Sequence, residues 1–115
     1  TVSEIESILG PPTDSYEDPS RETQSYRGYK INGIYIEIGY YSLNQKISYI
    51  PFFFEEITPH SESEAFQLIG FELPIQPPTF TFPGGSSKRW EPLNQYQRVT
   101  LYYEDNKING INIKK

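Results

Sequence analysis

Few residues of this 115-residue chain could support catalysis. His60 is the only histidine, so a catalytic triad or a histidine-bound metal would depend on it. General acid–base catalysis also needs a second group within hydrogen-bond reach, and the sequence around His60 indicates none. The acidic stretch 14–22 lacks the alternating ligands and the central glycine of a calcium loop. We therefore predict a non-enzymatic protein with no metal site and no cofactor.

Aromatic side chains are the more informative group, with 10 Tyr, 7 Phe and one Trp. Tyr and Trp are enriched in the hot spots of protein interfaces. They also suit half-exposed strands and can cover a thin core, so the sequence leaves two interpretations open. The first predicts a partner-binding surface formed by Tyr35, Tyr41, Trp90, Tyr96 and Tyr102.

Composition limits the classes of partner. A net charge of −5 argues against nucleic acid, because that affinity depends on Lys and Arg neutralising phosphates. The absence of cysteine excludes disulfides and thiolate metal sites. No apolar run approaches the ~20 residues of a transmembrane helix. Because the chain starts at Thr1 and contains no Met, we expect a removed leader or a truncated chain, and we favour the leader.

Two segments recur along the chain. Residues Thr1–Gly10 reappear as Ser61–Gly70, with a hydroxyl residue, a Glu three positions later and a final Gly in register. Residues Asn44–Ile50 likewise resemble Asp105–Ile111. Repeated units often cannot bury their apolar faces alone. We therefore predict two tandem units, 1–57 and 58–115, that share one compact domain.

The first unit is predicted to begin with a helix over residues 1–9. Thr1 and Glu4 form a capping-box pattern, and Gly10 is a typical helix terminator. Four apolar side chains fall on one face at helical spacing, namely Val2, Ile5, Ile8 and Leu9. Because so short a helix is marginal alone, it is expected to pack on a sheet.

Strands are predicted over residues of about 26–31, 34–41 and 46–54, after an exposed loop over 13–25. Asn32-Gly33 is a strong hairpin signal. Ile47 and Ile50 are three residues apart, which breaks strict alternation and predicts a bulge. A core face is predicted on the second strand, and it consists of Ile34, Ile36, Ile38 and Tyr40.

The second unit is predicted to contain a helix over 61–69, a long loop over 71–93, and strands over about 96–104 and 108–114. Residues 79–82 could pair briefly as an edge strand within the loop. Long loops in compact domains are usually functional or mobile. The identical strings 30–34 and 107–111 would require a different register, and we interpret that identity as chance.

The paired motifs resemble those of two bacterial groups, the tandem-repeat β-lactamase inhibitor proteins and the small outer-membrane-assembly lipoproteins. The resemblance is carried by the helix ending in Ile8-Leu9-Gly10-Pro11-Pro12, by Gln45-Lys46-Ile47, and by their second-half counterparts. Phe71-Glu72 replaces the Pro pair in the second copy, and each unit has one helix where those families usually have two. The resemblance implies an α+β fold with one curved antiparallel sheet and helices on one face.

The resemblance also implies a periplasmic or cell-envelope protein, although a cytoplasmic one stays open. The first functional hypothesis is a protein-binding, inhibitory or assembly module that uses an aromatic sheet face and the 71–93 loop. The second is a small-molecule or glycan binder that stacks its ligand on Trp90 and nearby Tyr side chains. The third is a hydrolase that uses His60 and a carboxylate. The partner's identity and the oligomeric state are not indicated.

Overall fold

A computed structural model describes residues 2–17 and 24–115. The elements follow the chain as α1 (Val2–Leu9), β1 (Asp14–Tyr16), β2 (Gln24–Ile31), β3 (Ile34–Tyr41), β4 (Ile47–Phe54), α2 (Glu62–Leu68), β5 (Phe80–Thr81), a 3-10 turn (Pro83–Gly85), β6 (Ser87–Trp90), β7 (Arg98–Glu104) and β8 (Lys107–Lys114). Within these ranges neither helix is long and apolar enough to cross a membrane.

All eight described strands form one antiparallel sheet in the order β1-β2-β3-β4-β8-β7-β6-β5. The two long strands β4 and β8 pair at its centre, with Phe52 opposite Ile111 and Phe53 opposite Gly110. Neighbouring strands on each side are joined mostly by short turns. The chain therefore has the predicted α+β fold, and its sheet is continuous.

The turns between β2 and β3 and between β7 and β8 have the backbone conformation that their sequences predict. Asn32 and Gly33 have φ angles of 51° and 81°, and Asp105 and Asn106 have φ angles of 52° and 61°. Two successive residues with positive φ match the right-handed twist of the flanking strands. The predicted hairpin between β2 and β3 is confirmed.

The predicted bulge is also confirmed. Tyr40 lies opposite Ile47 but its neighbour Gly39 lies opposite Tyr49, so Ser48 is the extra residue of β4. A second register shift separates the pairs Tyr103–Ile108 and Tyr102–Gly110. Each bulge lies between two isoleucines that are three positions apart, Ile47 and Ile50 in β4 and Ile108 and Ile111 in β8.

Both helices lie on the same face of the sheet. Val2 of α1 packs in a cluster with Tyr29, Ile38 and Tyr40. The helix α2 contributes Ala65 and Phe66 to a larger cluster that includes Ile34 of the same strand β3. Because Ile34, Ile38 and Tyr40 are an even number of residues apart, they point to one side. The core face predicted for β3 is therefore correct.

The helix ends show the expected chemistry where they are described. Ser61 Oγ accepts a hydrogen bond from the Glu64 backbone N–H at 3.1 Å, and a carboxylate oxygen of Glu64 accepts from the His60 N–H at 3.3 Å. Gly10 and Gly70 both follow their helices with a φ of 82°. The predicted cap at Thr1 lies outside the described residues.

The predicted apolar face of α1 is wrong in its second turn. Ile8 is 79% exposed and Leu9 is also exposed. This helix is held mainly at its start, where the Val2 N–H donates to the Gln45 carbonyl at 3.2 Å. The corresponding prediction for α2 is also incomplete, because Phe66 is buried while Leu68 is exposed.

Two segments predicted as loops contain strands. Residues 14–16 form β1, an edge strand whose exposed polar side chains carry no apolar pattern. The predicted 71–93 loop contains β5, as its edge-strand interpretation anticipated, but it also contains β6. In β6 the core-facing position 88 is a lysine, which is paired with Glu62 of α2 at 2.6 Å. Because a cation stands where an apolar residue is expected, the sequence pattern did not indicate this strand.

A candidate partner-binding face of the sheet

The sheet face opposite the helices carries a groove at its centre. We call this side the open face. The groove, hereafter the central groove, has a volume of about 550 Å³, which is within the range of ligand sites. Its lining comes from β3, β4, β7 and β8 and consists of Glu37, Tyr49, Pro51, Phe52, Phe53, Tyr102, Tyr103, Glu104, Asn109, Gly110, Ile111 and Asn112.

Two exposed aromatic rings flank the middle of the central groove. Phe53 of β4 and Tyr102 of β7 both lie opposite Gly110 of β8, one on each side. Their side chains are 43% and 40% exposed, respectively. Residues directly opposite one another share a face, so both rings rise from the open face with a glycine between them.

Gly110 lies at the bottom of the central groove, and no side chain packs over it. The nearest heavy atoms to an added Cβ would all be backbone atoms, beginning with the Phe52 carbonyl oxygen at 2.8 Å. The other two glycines of this face are covered, because the Tyr49 ring lies over Gly39 and the Tyr35 hydroxyl lies over Gly28. The lack of a side chain at Gly110 therefore opens a slot between Phe53 and Tyr102.

The charged groups of the central groove are two carboxylates. Burial raises the pKa of Glu37, the Tyr49 hydroxyl opposes this by donating to it at 3.5 Å, and the charge of Asp14 adds to the rise. Glu104 accepts from Asn109 Nδ2 at 3.1 Å. The groove thus combines an apolar middle with acidic ends.

Tyr35 and Tyr41 lie on the open face as predicted. The Tyr35 hydroxyl donates to both carboxylate oxygens of Asp14, at 2.9 and 3.1 Å. Burial and this hydrogen bond raise the Tyr35 pKa far above its usual value. Tyr41 is 47% exposed and lines a smaller depression with Arg98 and Lys114, at the basic end of the face. Tyr35, Tyr41 and Tyr102 therefore share a face.

The structure does not bring Trp90 and Tyr96 to that face. Trp90 is 3% exposed, packs edge-on against Phe66 at 5.5 Å, and donates its indole N–H to the Gln76 carbonyl at 3.1 Å. Tyr96 stacks on Phe71 at 5.6 Å, beside the α2 core. The expectation that Trp90 is available to a ligand is corrected, because its ring and its N–H are both used inside the protein.

Sequence reasoning missed Phe53 and Gly110 as site residues. Phe53 belongs to the run Phe52-Phe53-Phe54, in which all residues are apolar and periodicity cannot assign a face. Gly110 sits inside a strand, where an isolated glycine often marks a close backbone approach. That position of Gly110 was the available signal.

A second polar cluster lies on the helix side and ties α2 to the sheet. Lys88 and the Tyr103 hydroxyl both donate to one carboxylate oxygen of Glu62. Burial alone would raise the pKa of Glu62, but the hydrogen bonds from Lys88 and Tyr103 and the charge of Lys88 lower it. His60 is exposed at the start of α2 and lines a depression beside this cluster. Over residues 2–17 and 24–115, no three potential metal ligands are grouped together.

Comparisons with known proteins establish a likeness of fold. No family model matches the chain, and no curated protein matches it. A solved structure of a cysteine-rich secretory protein from Staphylococcus aureus subsp. aureus Mu50 matches 99% of the chain with a TM-score of 0.54 and 14% sequence identity. The chain spans 42% of the length of that protein. At this identity the chain is similar to the staphylococcal protein in fold alone.

Proposed function

We propose that the protein is a non-enzymatic protein-binding module that captures its partner on the open face of the sheet, for an inhibitory or assembly role in the cell envelope. The central groove is the observation that carries the proposal. Phe53 and Tyr102 are exposed aromatic residues that flank an uncovered glycine. Aromatic anchors that enter or form a pocket near the middle of a surface are typical of binding hot spots.

The rest of the open face supports a large contact. Tyr35, Tyr41 and Phe80 present aromatic surface around the groove, on β3 and β5. Arg89 lies over the Phe82 ring at 5.0 Å, so the β5–β6 part of the predicted 71–93 loop extends this surface. The cell-envelope setting follows the resemblance described above.

We also propose that the chain consists of two tandem copies of one unit. Each half has a helix followed by four strands, and the strand order reads symmetrically outward from β4 and β8. Arg27 lies over the Tyr40 ring at 5.8 Å, and Lys88 lies over the Tyr103 ring at 5.9 Å. These pairs occupy matching places beside the two bulges. This correspondence supports a duplication in which the groove lies where the two units meet, at the paired strands β4 and β8.

Partner capture tests this function. The wild-type protein and a Phe53→Thr/Tyr102→Thr variant would be used as baits in cell-envelope and cytosolic extracts. Thr suits strands, so the variant should keep its fold. An Ile8→Ser variant is the matched control, because it removes an exposed apolar side chain from α1. We expect a captured protein that the control retains and the groove variant loses. Equal capture by all three baits would refute the open face as the binding surface.

A small ligand in the same groove is the second candidate, favoured by the groove volume of about 550 Å³. Stacking on Trp90 is not available to such a ligand, since Trp90 is buried on the helix side. Titration of the protein with small sugars and lipids, followed by tyrosine fluorescence and compared with the groove variant, tests this candidate. A response that the groove variant lacks would favour it.

A further inference from the structure

The carboxylates of the central groove have no cationic partner among the described residues. Glu37 and Glu104 accept hydrogen bonds from Tyr49 and Asn109 respectively, both of which are neutral. The groove lining contains no Lys, Arg or His. Elsewhere, by contrast, Glu6 and Glu62 pair with Arg27 and Lys88. Neither carboxylate therefore forms an ion pair among the described residues, although Lys107 lies opposite Glu104 in the register of β7 and β8.

Two residues of the lining carry unpaired hydrogen-bond acceptors. The side-chain carbonyl oxygens of Asn109 and Asn112 are buried and have no hydrogen-bond partner in the described structure. Most buried polar groups in proteins do have one. A Lys or Arg side chain offers donors only, so a basic ligand complements the carboxylates of the groove.

The two carboxylates lie on opposite sides of the aromatic slot. Glu37 and Glu104 are separated by three strand spacings and by about four residue steps along the strands, which places their Cα atoms roughly 20 Å apart. The slot between Phe53 and Tyr102 lies between them. An extended segment of about seven residues covers the same distance.

We propose, on the basis of the partner-binding function above, that the central groove recognises an extended basic segment of a protein with an apolar side chain at its middle. The apolar side chain enters the slot above Gly110, where the Phe53 and Tyr102 rings flank it. Basic side chains on both sides of it meet Glu37 and Glu104. The net charge of −5 favours the approach of such a segment.

Three fluorescein-labelled peptides test this inference by anisotropy. The probe is Lys-Lys-Ser-Phe-Ser-Lys-Lys with blocked ends. One control peptide replaces Phe with Ala, and the other replaces every Lys with Glu. We expect the probe to bind at least about tenfold more tightly than either control, because aromatic burial and charge pairing both contribute. Raising the salt from about 50 mM to about 500 mM should weaken the probe's binding.

Protein variants assign the binding to the groove. Glu37→Gln and Glu104→Gln should each weaken the probe roughly two- to fivefold, as partly exposed charge pairs do. Phe53→Thr should abolish binding, and Glu72→Gln, outside the groove, should leave it unchanged. An acidic peptide that binds as tightly as the probe, or groove variants that bind like the wild type, would overturn the inference. These peptide assays do not use the captured protein. The proposed partner-binding function can therefore hold, through capture that depends on Phe53, even if the preference for a basic segment is refuted.

Discussion

Replacing Trp90 with Ala separates a core role from a binding role at this residue. Trp90 lies on β6, where its ring packs edge-on against Phe66 of α2 and its N–H is bonded to the Gln76 carbonyl. The side chain therefore joins the sheet, the second helix and the 71–79 segment. Truncating it leaves a large cavity among Phe66, Leu93 and Val99, which are members of the same buried cluster.

The expected cost follows from these contacts. Trp→Ala substitutions in protein cores cost about 3–5 kcal/mol, and the lost edge-on pair and hydrogen bond place Trp90 towards the upper end of that range. Domains of this size have a free energy of unfolding of about 5–15 kcal/mol. We expect Trp90→Ala to lower Tm by about 10–20 °C. Trp90→Phe, which keeps an apolar ring, should cost about 1–2 kcal/mol.

Urea unfolding followed by far-UV circular dichroism measures this cost without needing the tryptophan signal. Tyr102→Ala is the matched control, because it removes an aromatic side chain from the exposed side of the adjacent strand. We expect the control to change the free energy of unfolding by less than about 1 kcal/mol. A Trp90→Ala protein as stable as the wild type would refute the buried placement of Trp90.

Three further predictions concern charge and close packing. Glu62→Gln should lower stability near pH 7 by about 1–2 kcal/mol. Because the folded-state pKa of Glu62 is lowered, this difference should begin to shrink as the pH falls below the unfolded value and should be lost only below the folded-state value, so urea midpoints should show a smaller difference at pH 3 than at pH 7. Glu37 has a raised pKa, so its negative charge opposes folding. The Glu37→Gln variant should therefore be more stable than the wild type at pH 7, and this difference should disappear in acid. A variant that is less stable than the wild type at pH 7 would contradict this. Gly110→Ala should lose about 1–3 kcal/mol, since its Cβ would lie 2.8 Å from the Phe52 carbonyl oxygen; unchanged thermal unfolding would contradict the close approach of β4 and β8.

Local patterns in the sequence predicted the central strands well. The alternation of Ile34, Ile36 and Ile38, the Asn32-Gly33 turn, and the three-residue step at Ile47 are each determined within a few residues. The structure reproduces all three as a buried strand face, a hairpin and a bulge. Such features are predictable because strand geometry and turn geometry depend mainly on neighbouring residues.

Features that depend on distant residues were not predictable in the same way. Lys88 occupies a core-facing strand position because Glu62 and Tyr103, far apart in sequence, surround it. The burial of Trp90 likewise depends on Phe66 and Gln76. The aromatic slot required the register between β4, β7 and β8, which brings together positions 53, 102 and 110. Tyr35 and Tyr41 could be placed on one face because alternation within β3 decides their side.

Glycine NMR tests most directly whether the open face is the surface that binds a partner. Selective 15N labelling places reporters at Gly110 in the central groove, at Gly10 and Gly70 after the helices, and at Gly84 near the sheet edge. Adding the unlabelled captured partner to this protein should shift or broaden the Gly110 signal while Gly10 and Gly70 keep their positions. An unchanged Gly110 signal, with shifts at Gly10 or Gly70 instead, would place the partner on the helix side of the sheet and rule out the open face as the binding surface.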